Sequence, residues 1–185
     1  MPYYRRARMA GGTYFFTLVT AARRPLFIEP PVRLALRQSL QRVRSVLPFR
    51  IEAWVLLPDH LHCIWTLPEG DADYSKRWGM IKAGMTRSLR KGGFPLPAGT
   101  PTRRRREGGL WQRRFWEHWI RDHRDMRQHL DYIHYNPVKH GLVAQVSAWP
   151  HSSFHRLCKA GYYPPDWGGG HIKDAARHEQ DYGEP

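Results

Sequence analysis

Cysteine is nearly absent. Cys63 and Cys158 are the only two among 185 residues. That excludes a small secreted scaffold held by several disulfides. Cys63 lies inside an apolar, β-favouring run and is expected as a free thiol in a reducing compartment. Acidic side chains are also scarce: 16 Asp and Glu stand against 30 Lys and Arg, a formal charge of +14. Such an excess points to a polyanionic partner, nucleic acid first. No apolar run approaches the roughly 20 residues that a membrane helix needs. The Arg-rich beginning of the chain lacks the apolar stretch of a signal peptide, so a cytoplasmic location without membrane attachment is expected. No internal repeat is visible, which argues against a solenoid or propeller.

What the chain does have is aromatic residues, eight Trp and nine Tyr among them. Aromatic faces near Arg and Lys are what single-stranded bases stack on, although many of these rings must be core. Residues 1–11 carry Arg5, Arg6 and Arg8 ahead of Gly11-Gly12. They read either as a basic arm along a phosphate backbone or as a solvated tail. Thr13–Thr20 is β-branched and aromatic and predicts a strand. Pro30-Pro31 opens a helix whose stripe is Val32, Leu36, Leu40, Val43 and Leu47. Arg50–Leu57 and His60–Leu67 predict a hairpin about Pro58-Asp59. A second helix runs from Tyr74 to about Arg90, with Trp78, Ile81, Met85 and Leu89 inward. Its other faces carry Arg77 and Lys82, candidate phosphate contacts.

Residues 92–109, which include Arg103–Arg106, form a Pro/Gly-rich segment too long and polar to pack, and mobility is expected. Leu110–Ile120 predicts a fourth strand. Asp122 caps a third helix, expected to end near Asn136 because proline disfavours helical geometry in the residue before it. A short helix is expected at Phe154–Lys159, with disorder from Pro164 onward. The order of elements predicts an α+β, ferredoxin-like βαββαβ core with an antiparallel sheet and an added helix. It places one domain in residues 1–160 and a tail in 161–185.

Two places carry candidate chemistry. On a strand, His60 and His62 point to the same face while Leu61 points to the other. Two imidazoles so placed suit a divalent metal, although a lone His-x-His is more often a hydrogen-bonded pair. On the third helix, Met126, Leu130 and Ile133 form the apolar stripe. Tyr132 lies roughly 130° from its centre, outside the predicted core face. His129 and Asn136 lie on the same side as Tyr132. The Asn136 amide could coordinate a metal or orient a phosphate. Tyr135 is a competing tyrosine, turned further still from the stripe.

Together, Leu-Pro-Asp-His60-Leu61-His62 and Tyr132-Ile133-His134-Tyr135-Asn136-Pro137-Val138-Lys139-His140-Gly141-Leu142-Val143 resemble the REP-associated tyrosine transposases. These are single-tyrosine relatives of the HUH endonucleases and of the small single-strand insertion-sequence transposases. Arg77–Lys82, Leu110–His118 and Trp149–Ser153 share the likeness, which takes in roughly residues 3–160. The resemblance implies Tyr132 as nucleophile and His60 and His62 as metal ligands. It puts Asn136 where the insertion-sequence relatives carry a glutamine. Asparagine is one methylene shorter, a departure that bears on its use as third ligand. The expected substrate is a palindromic single-stranded DNA hairpin with a short tetranucleotide at its foot.

The residues make chemical sense of this. Mg²⁺ or Mn²⁺ held by His60, His62 and Asn136 would polarise a phosphodiester, and Tyr132 would attack it. No organic cofactor is implied. The region near Asp122 shows no sign of helix exchange between chains, so a monomer is the expectation. Two other readings use the same residues differently: a hairpin-binding protein that does not cut, and an RNA-binding module on a ferredoxin-like sheet. The second usually shows an aromatic strand motif rich in Gly and Phe, which the strand of His60 lacks.

Overall fold

The structure, a computed structural model, describes residues 8–96 and 109–168. Four strands form one antiparallel sheet: β1 (Thr13–Val19), β2 (Arg50–Leu56), β3 (His60–Thr66) and β4 (Trp116–Trp119). Their spatial order is β2-β3-β1-β4, the split βαβ arrangement of a ferredoxin-like core. The helices α1 (Pro30–Val46) and α2 (Tyr74–Lys91) cross one face of it. Helix α3 (His123–Lys139) covers the other, and α4 (Phe154–Lys159) follows.

Alternation along β1 and β3 decides which side chains meet which helices. Tyr14, Phe16 and Leu18 with Leu61, Cys63 and Trp65 pack against Val32, Leu36, Trp78, Ile81 and Met85 of α1 and α2. The opposite set, Phe15 and Ile64 with Ala53 and Val55 of β2, packs against Tyr132 and Ile133 of α3. The register sets Val19 opposite His60 and Thr17 opposite His62. Both histidines therefore stand on the α3 face, in the middle of the sheet, and Leu61 goes to the main core as the alternation requires.

Several expectations are corrected. The fourth strand is short. Residues 110–115 run mostly as irregular chain, with Trp111 bridged to Thr20 and the Gln112 amide bonded to the Val19 carbonyl. Leu110 and Trp111 are buried next to each other, which breaks the in-out alternation that a strand needs. Helix α3 does not stop at Asn136 but continues through Pro137 to Lys139. The ring removes a single hydrogen bond in the last turn. That turn still closes through His140 N–H to Asn136 O and Leu142 N–H to Pro137 O. Gly141, at φ 65°, then supplies the left-handed residue that ends it.

Past α4, Tyr163 is buried and Trp167 packs beside it on the far side of α3, around Val146, Phe154 and Leu157. Order therefore extends beyond residue 160 and past Pro164, because two aromatic rings have a helix face to cover. Phe94 and Leu96 likewise pack on the main core. The four-arginine run Arg103–Arg106 and the end of the tail lie outside the described residues. Cys63 and Cys158 are free thiols. Among the described residues, no helix is long and apolar enough to cross a membrane.

Candidate active site

His60 and His62 are both buried, their ring centroids 5.0 Å apart. Each is held by its Nδ1. His60 Nδ1 lies 2.6 Å from Asp59 Oδ1, and His62 Nδ1 lies 2.9 Å from Thr17 Oγ1 on the neighbouring strand. A ring fixed in this way through one nitrogen presents the other in a set direction. His60 Nε2 is buried and makes no hydrogen bond. An unsatisfied imidazole nitrogen in a buried site suits a divalent metal ion.

Asp59 was legible in the sequence only as a turn residue, yet it links two shells of the site. Its second oxygen takes Arg23 Nη1 at 3.1 Å. Burial works to raise the Asp59 carboxyl. The hydrogen bond from His60, with the charge and hydrogen bond of Arg23, outweighs that and holds it below its usual value. Arg23 and Ala22 both take positive φ, 50° and 54°. Two non-glycine residues in that region cost on the order of 1 kcal/mol each. Strain of this kind persists where the surroundings fix it, here through the Thr20 N–H bond to the Asp59 carbonyl and the Arg23 ion pair.

Helix α3 lays a polar stripe on the sheet. Asp125, His129, Tyr132 and Asn136, at steps of four, three and four, are all buried. Tyr132 is thus on the sheet-facing side, not turned away from the core as its angle from the apolar stripe suggested. The helix is covered on two sides, so its apolar residues are shared between the sheet and the C-terminal segment. The Tyr132 ring meets His62 edge-on at 5.2 Å and Phe15 at 5.9 Å. Lys139 Nζ lies 5.3 Å from the Tyr132 ring centre, and the His140 ring lies 5.2 Å from that of His60. These two neighbours, both about two turns past the tyrosine, were not singled out by the sequence pattern. The step of seven and eight residues along the helix was the available signal. Tyr135 instead joins the cluster behind the helix.

At the start of α3, Asp122 caps the helix by accepting the Asp125 N–H at 2.8 Å. Asp125 Oδ2 lies 2.8 Å from His118 Nε2, and Oδ1 lies 3.0 Å from His129 Nδ1. Burial lowers the His129 pKa to about 4, against the opposing pull of Asp125, so the ring stays neutral.

Arg77 is not a phosphate contact. It is 1% exposed. Its guanidinium pairs with Asp71 at 2.7 Å and donates to the carbonyls of Leu47, Pro48 and Asp73. Every donor is turned inward to tie α2 to the end of α1, which corrects the expectation. Lys82 is half-buried. Its ammonium donates to the Gln112 carbonyl at 3.1 Å and lies over Trp111 and Phe115. Arg8 is exposed. Arg5 and Arg6 lie outside the described residues.

A histidine pair thus stands at the centre of a ferredoxin-like sheet, faced by a tyrosine from a helix laid across it. No protein-family model matches the chain. It is 47% identical over 169 residues to the REP-associated tyrosine transposase of Escherichia coli K12, covering 91% of this chain and 92% of that one. A putative REP-associated tyrosine transposase of Haemophilus influenzae is 45% identical over 169 residues, covering 91% and 94%. The solved structure of a REP-associated tyrosine transposase bound to a REP hairpin superposes with a TM-score of 0.77 at 46% identity, covering 94% of each chain. The chain belongs to the REP-associated tyrosine transposases.

Proposed function

We propose that this protein is a sequence-specific single-stranded DNA endonuclease and strand transferase that acts on palindromic hairpins through a 5′-phosphotyrosine. The observation that carries the reading is the meeting of Tyr132 with His62 beside His60 in one buried cluster. The solved relative bound to a REP hairpin supports the substrate.

The chemistry follows from the groups present. The Tyr132 oxygen attacks phosphorus and gives up its proton. The P–O3′ bond breaks, and the departing oxygen takes a proton to become a 3′ hydroxyl. The phosphate stays on the tyrosine, so the bond can be remade with another 3′ hydroxyl without a further energy source. Lys139 places its ammonium 5.3 Å from the centre of the Tyr132 ring, a positive charge beside the phosphate that the tyrosine attacks. His60, His62 and Asn136 are the residues that would hold Mg²⁺ or Mn²⁺, which supplies Lewis-acid polarisation of a non-bridging phosphate oxygen. The chemistry calls for no organic cofactor. A DNA substrate fits a cytoplasmic location.

The cations for the DNA backbone lie on the exposed surface. Arg8, Arg113 and Arg114 before β4, and Arg121 and Arg124 around the start of α3, are exposed. Arg5 and Arg6 precede them in the chain.

The test uses a labelled hairpin oligonucleotide, Mn²⁺ and a denaturing gel. Wild type should cut at the hairpin foot and leave a protein–DNA adduct. Tyr132→Phe should lose both, with hairpin binding nearly intact, because only one oxygen is removed from a ring that still packs on Phe15. An adduct that survives in Tyr132→Phe would transfer the role to another tyrosine. Binding without cutting by wild type would make the protein a non-catalytic hairpin binder.

A further inference from the structure

We propose that His118, Asp125 and His129 form a second divalent-metal site, separate from the histidine pair, which takes a transition ion such as Zn²⁺ and ties the tyrosine helix to the sheet edge. One ligating atom from each of the three lies within 4.8 Å of the others. Among the described residues, they are the one group of three or more His, Cys, Asp or Glu side chains so arranged. His118 comes from β4, and Asp125 and His129 from the first two turns of α3. An ion held by all three would therefore join two elements that are separate in the chain.

The donors suit the ion. Zn²⁺ takes imidazole nitrogen and carboxylate oxygen at about 2.0–2.2 Å, which puts neighbouring donors roughly 3.3 Å apart. The Asp125 oxygens already stand 2.8 Å and 3.0 Å from the nitrogens of His118 and His129. An ion would take the place of the hydrogen between His118 and the carboxylate, and a small side-chain movement would turn His129 Nδ1 from the Asp125 carbonyl, which it meets at 2.9 Å, to the ion. The carboxylate is anchored from behind, since Asp125 Oδ2 accepts the Arg121 N–H at 3.0 Å.

Charge adds a second argument. In a chain of formal charge +14, Asp125 and Glu117 are the two buried carboxylates among the described residues. A buried carboxylate calls for a close cation. The nearest arginine group, Arg121 Nε, is a loose 3.5 Å away on a largely exposed side chain. His118 is about a quarter exposed, which leaves a way in from solvent.

A carboxylate in the donor set attracts a dication more strongly than the neutral trio of His60, His62 and Asn136. The tighter metal site of this protein is therefore not the one beside the attacking tyrosine. Stoichiometric metal binding and metal-dependent cutting should report different affinities.

The experiment titrates the metal-free, full-length protein with Co²⁺ alone, followed by visible absorption, and then competes with Zn²⁺. Thermal unfolding is recorded with and without Zn²⁺. One tight equivalent of Co²⁺ with visible bands is expected in wild type and in His60→Ala, and its loss in His118→Gln. Zn²⁺ should raise the unfolding temperature of wild type and His60→Ala but not of His118→Gln. His118 is partly exposed, so this variant keeps the fold, which circular dichroism checks. A tight equivalent that stays in His118→Gln, or no tight equivalent in wild type, overturns the proposal. Since His60→Ala reports on the catalytic pair alone, failure here is distinguishable from failure of the DNA-cutting reading.

Discussion

Asp59 Oδ1 lies 2.6 Å from His60 Nδ1, so a residue that reads as half of a turn also aims a candidate metal ligand. Ligand partners of this sort typically govern 10–100-fold in metal affinity or activity. Asp59→Asn keeps the turn and removes the charge. It should raise the Mn²⁺ concentration needed for half-maximal cutting by about 10–100-fold, with much of the rate recovered at high Mn²⁺. Cutting rate against Mn²⁺ concentration decides. An unchanged curve would reduce Asp59 to a turn residue.

Arg77→Met tests the corrected role of a residue whose position on a basic helix suggested DNA. The buried guanidinium ties together Asp71 and three backbone carbonyls, and its loss removes all of those bonds and the counter-charge of Asp71. Breaking a fully buried pair costs roughly 3–5 kcal/mol. Asp71 keeps some solvent, so a loss of about 2–3 kcal/mol in urea unfolding is expected. Hairpin affinity of the folded variant should match wild type. A variant of normal stability that binds the hairpin weakly would return Arg77 to the interface.

How far the sequence could be read depended on whether one neighbour or two acted on each helix. Helices α1 and α2 each bury one apolar stripe, and strands β1 to β3 are β-favouring runs bounded by turns, so period and turn signals found them. The histidine pair was legible for the same reason, because alternation along β3 sends Leu61 to the core and both imidazoles to the other side. Helix α3 is covered on two sides. Its apolar residues divide between Ile133 toward the sheet and Tyr135 and Val138 toward the C-terminal segment. A single stripe drawn through Met126, Leu130 and Ile133 therefore misplaced Tyr132. The linkage of Arg23, Asp59 and His60 was hidden because its members meet only when β1 and β3 pair. Arg77 was misread because an arginine's sequence does not tell whether carbonyls wait for it.

Acid should weaken the packing behind the tyrosine helix. His134 is fully buried, bonded through Nε2 to Ser153 Oγ at 2.9 Å, and faces Phe154 and Tyr163. Tyr163 in turn donates to Asp131. Burial first, and the charge of Arg156 second, lower the His134 pKa to about 3. Unfolded, it returns to about 6.5. Between those values the unfolded chain binds the proton and the folded one does not, so stability falls as pH drops below about 6.5. From pH 7 to pH 5 this group alone should remove about 2 kcal/mol. Urea unfolding with a chelator present, at both pH values, measures it. His134→Gln should lose about that much less than wild type over the same interval, and equal losses would rule His134 out as the cause.

The basic arm gives the last prediction. Met9 is where the described chain becomes anchored: its N–H donates to Tyr14 Oη at 2.5 Å, and Tyr14 Oη–H donates to the Met9 carbonyl at 2.9 Å. Deleting residues 1–7 stops short of that clasp, so the folded core should be untouched while Arg5 and Arg6 are lost. If the arm lies along the phosphates, each lost contact lowers the magnitude of the log–log salt slope by about 0.7 for single-stranded DNA. Two arginines should thus take roughly 1.4 from the slope and weaken hairpin binding at low salt more than at high salt. Stacking of bases on aromatic rings is less sensitive to salt and should remain. Fluorescence anisotropy of a labelled hairpin across a salt series gives both quantities. An unchanged slope and an unchanged midpoint would show an idle, solvated arm, and the DNA-backbone contacts would then have to come from the exposed arginines around β4 and the start of α3.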